Sequence, residues 1–336
     1  MTGKYMAYVG SYSYTGKAKG ITVYDVDVEA GKFIYRCEVE VDNSSYLKAS
    51  QNGQILYSIA DEGVVAFRVL PNGSLARLNS ANIRGMRGCH LSTSKADDYI
   101  FISGFHDGKI TVLNLNKDGS VGQIADGVFH KGLGSVAERS FRPHVSCSRL
   151  TPDERFLMVA DLGIDQIKVY RFDHKDGKIT LVDTIRCELE SAPKYFMFSS
   201  DGRFFYVLYE MKNMIEVYSY KEGERVPIVE KIQTIPSTGS KPNQLTAACA
   251  MHLSPDEKHL FCSNAGDNTV SMYDRDDETG MLTMRFCLPI SGDYPKDIAI
   301  FPDGKHLASI NHEGSISFFK IDYEKGLLVM SDRSIT

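Results

Sequence analysis

Seven times along the 336-residue chain a polar turn leads into a short apolar strand: TGKYMAYVGS around Tyr5, NGQILYSIA around Leu56, DDYIFISGF around Ile100, DERFLMVAD around Leu157, DGRFFYVLYE around Phe205, DEKHLFCSN around Leu260 and DGKHLASIN around Leu307. Between the turn residues Gly3, Gly53, Asp97, Glu154, Gly202, Glu257 and Gly304 the spacings are 50, 44, 57, 48, 55 and 47. Self-similarity of this period marks a repeat architecture, and it restricts the fold more than any single motif does. A second strand follows each copy: GITVYDVD at Gly20, GVVAFRVL at Gly63, GKITVLNL at Gly108, DQIKVYRFD at Asp165, NMIEVYSY at Asn213, DNTVSMYDR at Asp267 and GSISFFKID at Gly314. Loops such as NKDG at Asn116, HKDG at His174 and YEKG at Tyr323 then supply residues suited to tight reversals, ahead of a more polar strand. Several short strands per repeat, with no sustained helical period, predict an all-β, seven-bladed β-propeller of about 48 residues per blade, spanning 1–336 as a single domain. An open solenoid would require capped ends and more helix.

Labelled outward from the axis, the innermost strands fall on SYLKAS at Ser45, GCHLSTS at Gly88, PHVSCSRL at Pro143, PKYFMFS at Pro193, ACAMHLS at Ala248 and PKDIAIF at Pro295. That makes six inner strands for seven blades. The blade carrying Tyr5 is therefore expected to have three strands, unless C-terminal residues shift inward to complete it at the expense of the last blade's outer strand. This seam is expected to be the weakest in the ring, with a widened gap beside the axis.

Charge and composition narrow the partners. Lys and Arg number 38 against 43 Asp and Glu, a formal charge of −5, without the basic excess that neutralising nucleic-acid phosphates requires. Apolar runs such as FLMVA at Phe156 are far short of the roughly 20 residues that span a bilayer. The N-terminus has no signal-like apolar segment. Seven Cys are scattered without a C-x-x-C pair, and a chain of this size needs no staples, which predicts reduced thiols and a cytoplasmic protein. The expected partners thus include neither nucleic acid nor membrane. No phosphate-binding Gly loop, zinc spacing or nucleophile elbow occurs, and the Asp pairs at Asp153, Asp201, Asp256 and Asp303 recur as turns without calcium-loop ligands, so no metal or cofactor is expected.

The stretches YVGSYSYTGKAKGITVYDVD at Tyr8, SSYLKASQNGQILY at Ser44, ERSFRPHVSCSRLTPDERFLMVADLGIDQIKVY at Glu138, SSDGRFFYVLYE at Ser199 and LSPDEKHLFCSN at Leu253 resemble the seven-bladed propeller lactonases typified by 6-phosphogluconolactonase, to which the carboxymuconate cyclases are similar. The resemblance covers essentially the whole chain. In the cyclases it implies a His in a PH motif, an Arg on a later inner strand, a Glu ending a second strand and an Arg after an SN pair. Those positions carry His144, Lys194, Glu210 and Ala265 here, and the family's second His falls on Ser146. Lys offers a hydrated point charge where Arg offers a rigid fork, and Ala offers nothing. Lys296 also stands where relatives tend to carry Arg.

Lactone hydrolysis requires a base for water, donors for the developing oxyanion and a cation for any anionic tail. Inner strands converge on the axis, so His90, His144, Lys194, His252 and Lys296 are expected to face one channel. Asp161, Glu210, Asn264 and Asn311 are expected to share a station at the ends of second strands. Imidazole titrates near neutral pH, which makes His144 the candidate general base or acid. Glu210, at the end of an apolar strand, is expected to pair with Lys194 and to activate water together with His144, while Lys194, Lys296, Arg139 or Arg142 hold the anion. For His90 and His252 the alternative is a packed, hydrogen-bonded side chain; for Asp161 it is an inter-blade turn, and Asn264 and Asn311 suit loop anchoring. The function expected is hydrolysis of an anionic sugar lactone, resembling 6-phosphogluconolactonase. The alternative is a propeller that has lost its chemistry and serves as a binding or interaction module, because the fold supports both.

Overall fold

The computed structural model describes residues 5–14, 16–134, 141–239, 242–243 and 245–335. Among these residues, strands hydrogen-bonded in antiparallel order form seven separate sheets, six of four strands and one of three. The three-stranded sheet is the first blade, built from Tyr5–Gly10, Gly20–Asp27 and Lys32–Glu40. The other six open with inner strands at Leu47–Ala49, His90–Thr93, Val145–Leu150, Pro193–Phe198, Ala247–Leu253 and Asp297–Ile300. The chain's last strand, Leu327–Ile335, is the outer strand of the seventh blade and does not return to the axis. The strand count predicted from the repeat therefore holds, and it is the first blade that is short.

Each sheet buries both faces of its middle strands against the neighbouring blades. Phe156–Asp161 and Phe204–Tyr209 are buried at every residue, whereas the outer strand Lys178–Arg186 is mostly exposed or half-buried. This is why the second strand reads as an apolar run and the fourth as a polar one. Buried side chains gather into seven clusters, one between each pair of adjacent blades, so the ring closes by packing. The clusters are unequal. Thirteen buried side chains fill the interface of blades four and five, but only five fill each of the two that flank the first blade.

Six of the turn residues that define the repeat share one backbone conformation, and Gly3 lies outside the described residues. Gly53, Gly202 and Gly304 have φ of 69°, 71° and 66°, and Asp97, Glu154 and Glu257 have 51°, 55° and 55°. A side chain there costs roughly 1–2 kcal/mol. The acidic residues offset that cost by reaching the turn of the preceding blade: Asp97 accepts from the Gln51 amide at 2.7 Å, Glu154 from the Lys95 amide at 2.6 Å, and Glu257 from the Ser200 amide at 3.0 Å. The acidic turns staple blade to blade.

Candidate functional site

The inner strands of blades four, five and six carry an irregularity at the same place. Pairing with the second strand slips between Val145 and Cys147, between Pro193 and Tyr195, and between Ala248 and Ala250. The extra residue in each bulge is Ser146, Lys194 or Cys249. A bulge re-aims a side chain that regular pleating would send elsewhere, and three successive bulges mark one end of the channel.

At the middle bulge the Lys194 ammonium meets the Glu210 carboxylate at 2.7 Å, with side-chain exposures of 30% and 10%. Burial is the largest influence on Lys194 and opposes its charge, but the charge and hydrogen bond of Glu210 together with smaller contributions from Cys249 and Tyr294 overcome it, so the pKa lies above the ordinary lysine value and the group is a fixed cation. Cys249 is close enough for both charges to act on its thiol; burial pushes its pKa up, against the pull of Lys194. Ser146 donates to the carbonyl of Pro193 at 2.9 Å, tying the fourth blade to the fifth beside Lys194.

His144 precedes the fourth blade's inner strand. Its backbone N–H donates to Asp161 Oδ1 at 2.8 Å, and its ring stacks on Phe105 with centroids 4.4 Å apart. Nδ1 lies 2.7 Å from the carbonyl oxygen of Phe105. A carbonyl only accepts, so Nδ1 carries the proton and the lone pair of the neutral ring is at Nε2. Nε2 has no hydrogen-bond partner among the described residues. Gly163 is required at this corner, because a Cβ there would stand 1.8 Å from the Arg142 carbonyl oxygen and 2.8 Å from His144 Cδ2.

Asp161 pairs with a different histidine. Its Oδ2 is 2.6 Å from Nδ1 of His130, both side chains being fully buried, while Oδ1 also accepts from Gly163 N–H at 3.1 Å. It therefore fixes the backbone around His144 and clasps the third blade's outer strand to the fourth blade. Asn264 performs comparable service, donating to the carbonyl of Ser237, just past the fifth blade's outer strand, at 2.8 Å; Asn311 instead donates within its own blade, to Ser317 Oγ at 3.0 Å.

Contrary to the expectation from the sequence, Glu210 does not share the station of these residues. Asp161 pairs opposite Val145 and Asn264 opposite Ala248, immediately before their bulges, and the residue so placed in the fifth blade is Tyr209, opposite Pro193. Glu210 lies one position further along. Strand side chains alternate, so one residue separates a group facing the neighbouring blade from one facing the axis. Ala265 follows Asn264 as Glu210 follows Tyr209, so the sixth blade's axis-facing position holds no charge.

The remaining candidates are dispersed. Lys296 is exposed, its ammonium 5.7 Å from the centre of the Tyr12 ring, and Arg87 lies 4.9 Å from the same ring on its way to Asp61 at 3.0 Å. Arg142 is exposed and packs over Phe141. Arg139 lies outside the described residues. His90 is 2% exposed, between the rings of Tyr46 at 4.8 Å and Tyr195 at 5.8 Å, and its Nδ1 accepts from Ser148 N–H. Burial, then the Arg149 and Lys48 charges, hold its pKa well below the ordinary histidine value, so it is a neutral packing group. His252 sits late in its strand, bonded to Asp297 at 2.9 Å, and is not level with Lys194. Sequence reasoning missed Cys249, Tyr12 and the role of Phe105. A bulge, invisible in the sequence, brings Cys249 to the site, whereas Tyr12 and Phe105 reach it from the loops that follow Tyr5–Gly10 and Tyr99–Gly104.

A family model described as "Lactonase, 7-bladed beta-propeller" matches residues 6–336. The 6-phosphogluconolactonase of Bacillus subtilis is 26% identical, the match covering 99% of this chain and 96% of that protein. A protein of the same name from Formosa agariphila is also 26% identical, over 96% and 94%. Among solved structures, a Bacteroides fragilis protein provisionally named a 6-phosphogluconolactonase superposes with a TM-score of 0.88 at 29% identity, over 98% of this chain and 94% of that one. The periplasmic gluconolactonase of Pseudomonas aeruginosa superposes at 0.89 with 23% identity, over 98% of both chains, which speaks to the fold. Blade number, strand order and the family match over nearly the full length agree, and the chain belongs to the seven-bladed β-propeller lactonase family.

Proposed function

We propose that this protein hydrolyses a sugar lactone with an anionic substituent, in the manner of a 6-phosphogluconolactonase, at the channel end marked by His144, Lys194 and Glu210. His144 Nε2 takes a proton from water as the water oxygen attacks the lactone carbonyl carbon. The resulting imidazolium returns the proton to the ring oxygen as the acyl C–O bond breaks, leaving the hydroxy acid. Lys194, held by Glu210, supplies the positive charge for the oxyanion or for the substrate's anionic tail, and Lys296 and Arg142 add long-range attraction at the rim. The observation that carries this reading is the His144 ring, whose Nδ1 proton is committed to Phe105 and whose Nε2 lone pair has no partner among the described residues. The names of the relatives support the reaction class.

The test is base uptake at constant pH during hydrolysis of a lactone panel, with and without a 6-phosphate. Turnover that disappears in His144→Ala supports the reading. Absence of turnover above the spontaneous rate on every lactone would leave the binding-module alternative in its place.

A further inference from the structure

The channel has a second mouth, where the inner strands end. A cavity of about 300 Å³ opens there among the last residues of four inner strands and the turns that follow. Its charged lining is Lys48, Lys95, Arg149 and Glu154. One oxygen of the Glu154 carboxylate accepts from the Lys95 amide at 2.6 Å, and one oxygen of the neighbouring Asp97 accepts from the Gln51 amide at 2.7 Å. Lys48 and Arg149 are both partly buried, and neither has an ion-pair partner within 4.0 Å among the described residues. They act on each other: burial first, and then Arg149, lower the pKa of Lys48, against a smaller opposing pull from Asp97. Two like charges partly drawn from water with no counter-ion in direct contact are unfavourable, and an anion between them relieves both the repulsion and the lost hydration.

The geometry points to a binding site for a small phosphate monoester at this second mouth, held by Lys48 and Arg149. Arg149 is already fixed in place, stacked 5.0 Å from the centre of the Tyr195 ring and hydrogen-bonded to its hydroxyl, so little rotamer freedom remains to be lost on binding. A guanidinium so held suits the oxygens of a phosphate, and Lys48 adds a point charge. Leu150, Met197 and Phe198 form an apolar wall for a few carbon atoms, which favours an ester over the free ion. The site is separate from the hydrolytic candidate, which lies where the inner strands begin.

Wild-type protein, Lys48→Met, Arg149→Met and Lys194→Ala are titrated with inorganic phosphate and with glycerol phosphate, by calorimetry and by amide shifts in nitrogen-15 spectra. Saturable shifts are expected at Ser92, Thr93, Thr151, Ser199 and Ser200, tighter for the ester than for inorganic phosphate. Lys48→Met and Arg149→Met are each expected to weaken binding about tenfold or more, about 1.4 kcal/mol, and Lys194→Ala to leave it within twofold. Arg149 also supports Tyr195, so if Arg149→Met fails to fold, Lys48→Met and the wild-type shift map decide. Shifts confined to the surroundings of His144 and Lys194, unchanged affinity in Lys48→Met, or no saturation at the cavity amides would overturn the proposal.

Discussion

Closure of the ring yields a prediction whose size follows from the packing. The seventh blade meets the first through Phe301, Ala308, Ile316 and Phe318 on one side and Tyr24 on the other. Phe33 sits among them, stacked on Phe301 at 5.4 Å and edge-on to Phe318 at 5.1 Å. Phe318 is 1% exposed, so Phe318→Ala leaves a cavity and is expected to cost about 3–5 kcal/mol. Phe205 is equally buried between blades four and five, 4.6 Å from Tyr218, and Phe205→Ala is expected to cost a similar amount. The two should differ in where the loss is felt. If the ring opens at the first blade while the other blades stay folded, Phe205 keeps its contacts in the opened state, and its truncation leaves that opening unchanged. Native-state hydrogen exchange then shows the amides of Tyr5–Gly10 and Gly20–Asp27 accelerated by about a hundredfold to a few thousandfold in Phe318→Ala, at 1.4 kcal/mol per tenfold, and hardly altered in Phe205→Ala. In the wild type these amides exchange faster than those of Phe156–Asp161. Equal acceleration of the first-blade amides by both substitutions would refute the reasoning, because it would mean that the propeller opens only as a whole.

On a lactone that the protein turns over, His144→Ala and Glu210→Gln are each expected to lower kcat/KM by about a hundredfold or more with the circular dichroism spectrum unchanged, the scale of lost proton transfer or charge placement; near-normal turnover would remove the residue from the mechanism. Gly163→Ala should lower kcat with His144 still present, since the added Cβ displaces the Arg142–His144 backbone; full activity would show that the corner tolerates the shift. Lys194→Ala should raise KM for a phosphorylated or carboxylated lactone more than for a neutral one, as steady-state kinetics on the two would show, and equal losses would contradict an anion-binding role. Glu216 is buried, which raises its pKa, but Lys231, Tyr209 and Tyr218 donate to it at 2.8, 2.6 and 2.6 Å and bring the pKa below the usual glutamate range. A depressed carboxylate stabilises the fold above its unfolded pKa and loses that contribution as pH falls through the folded value. Glu216→Gln is therefore expected to be less stable than wild type at pH 7 by several kcal/mol, with the gap narrowing below about pH 4 in urea titrations; a gap independent of pH would rule out the ionised form as its source.

The repeat by itself determined the fold, the number of blades and the three-stranded first blade, because these follow from local signals. Left-handed turn residues recur at Gly53, Asp97, Glu154, Gly202, Glu257 and Gly304, apolar runs mark strands buried on both faces, and counting exposes the absent inner strand. The resemblance to the lactonase family, through its PH motif, pointed to His144, and the end of an apolar strand singled out Glu210 as a partner for Lys194, which it is. Tertiary structure alone decided which way each side chain faces. Asp161, Glu210 and Asn264 look equivalent in the sequence, yet one residue of register turns Glu210 to the axis and leaves the other two clasping neighbouring blades. Bulges at Ser146, Lys194 and Cys249 have no local signature here, since the extra residue is accommodated by pairing with a strand about ten or more positions away. The same holds for Arg149, an ordinary strand residue in PHVSCSRL whose burial beside Tyr195 and Lys48 depends on blades far apart in the chain. Periodicity is a property of neighbours along the chain, whereas convergence on an axis is a property of the closed ring.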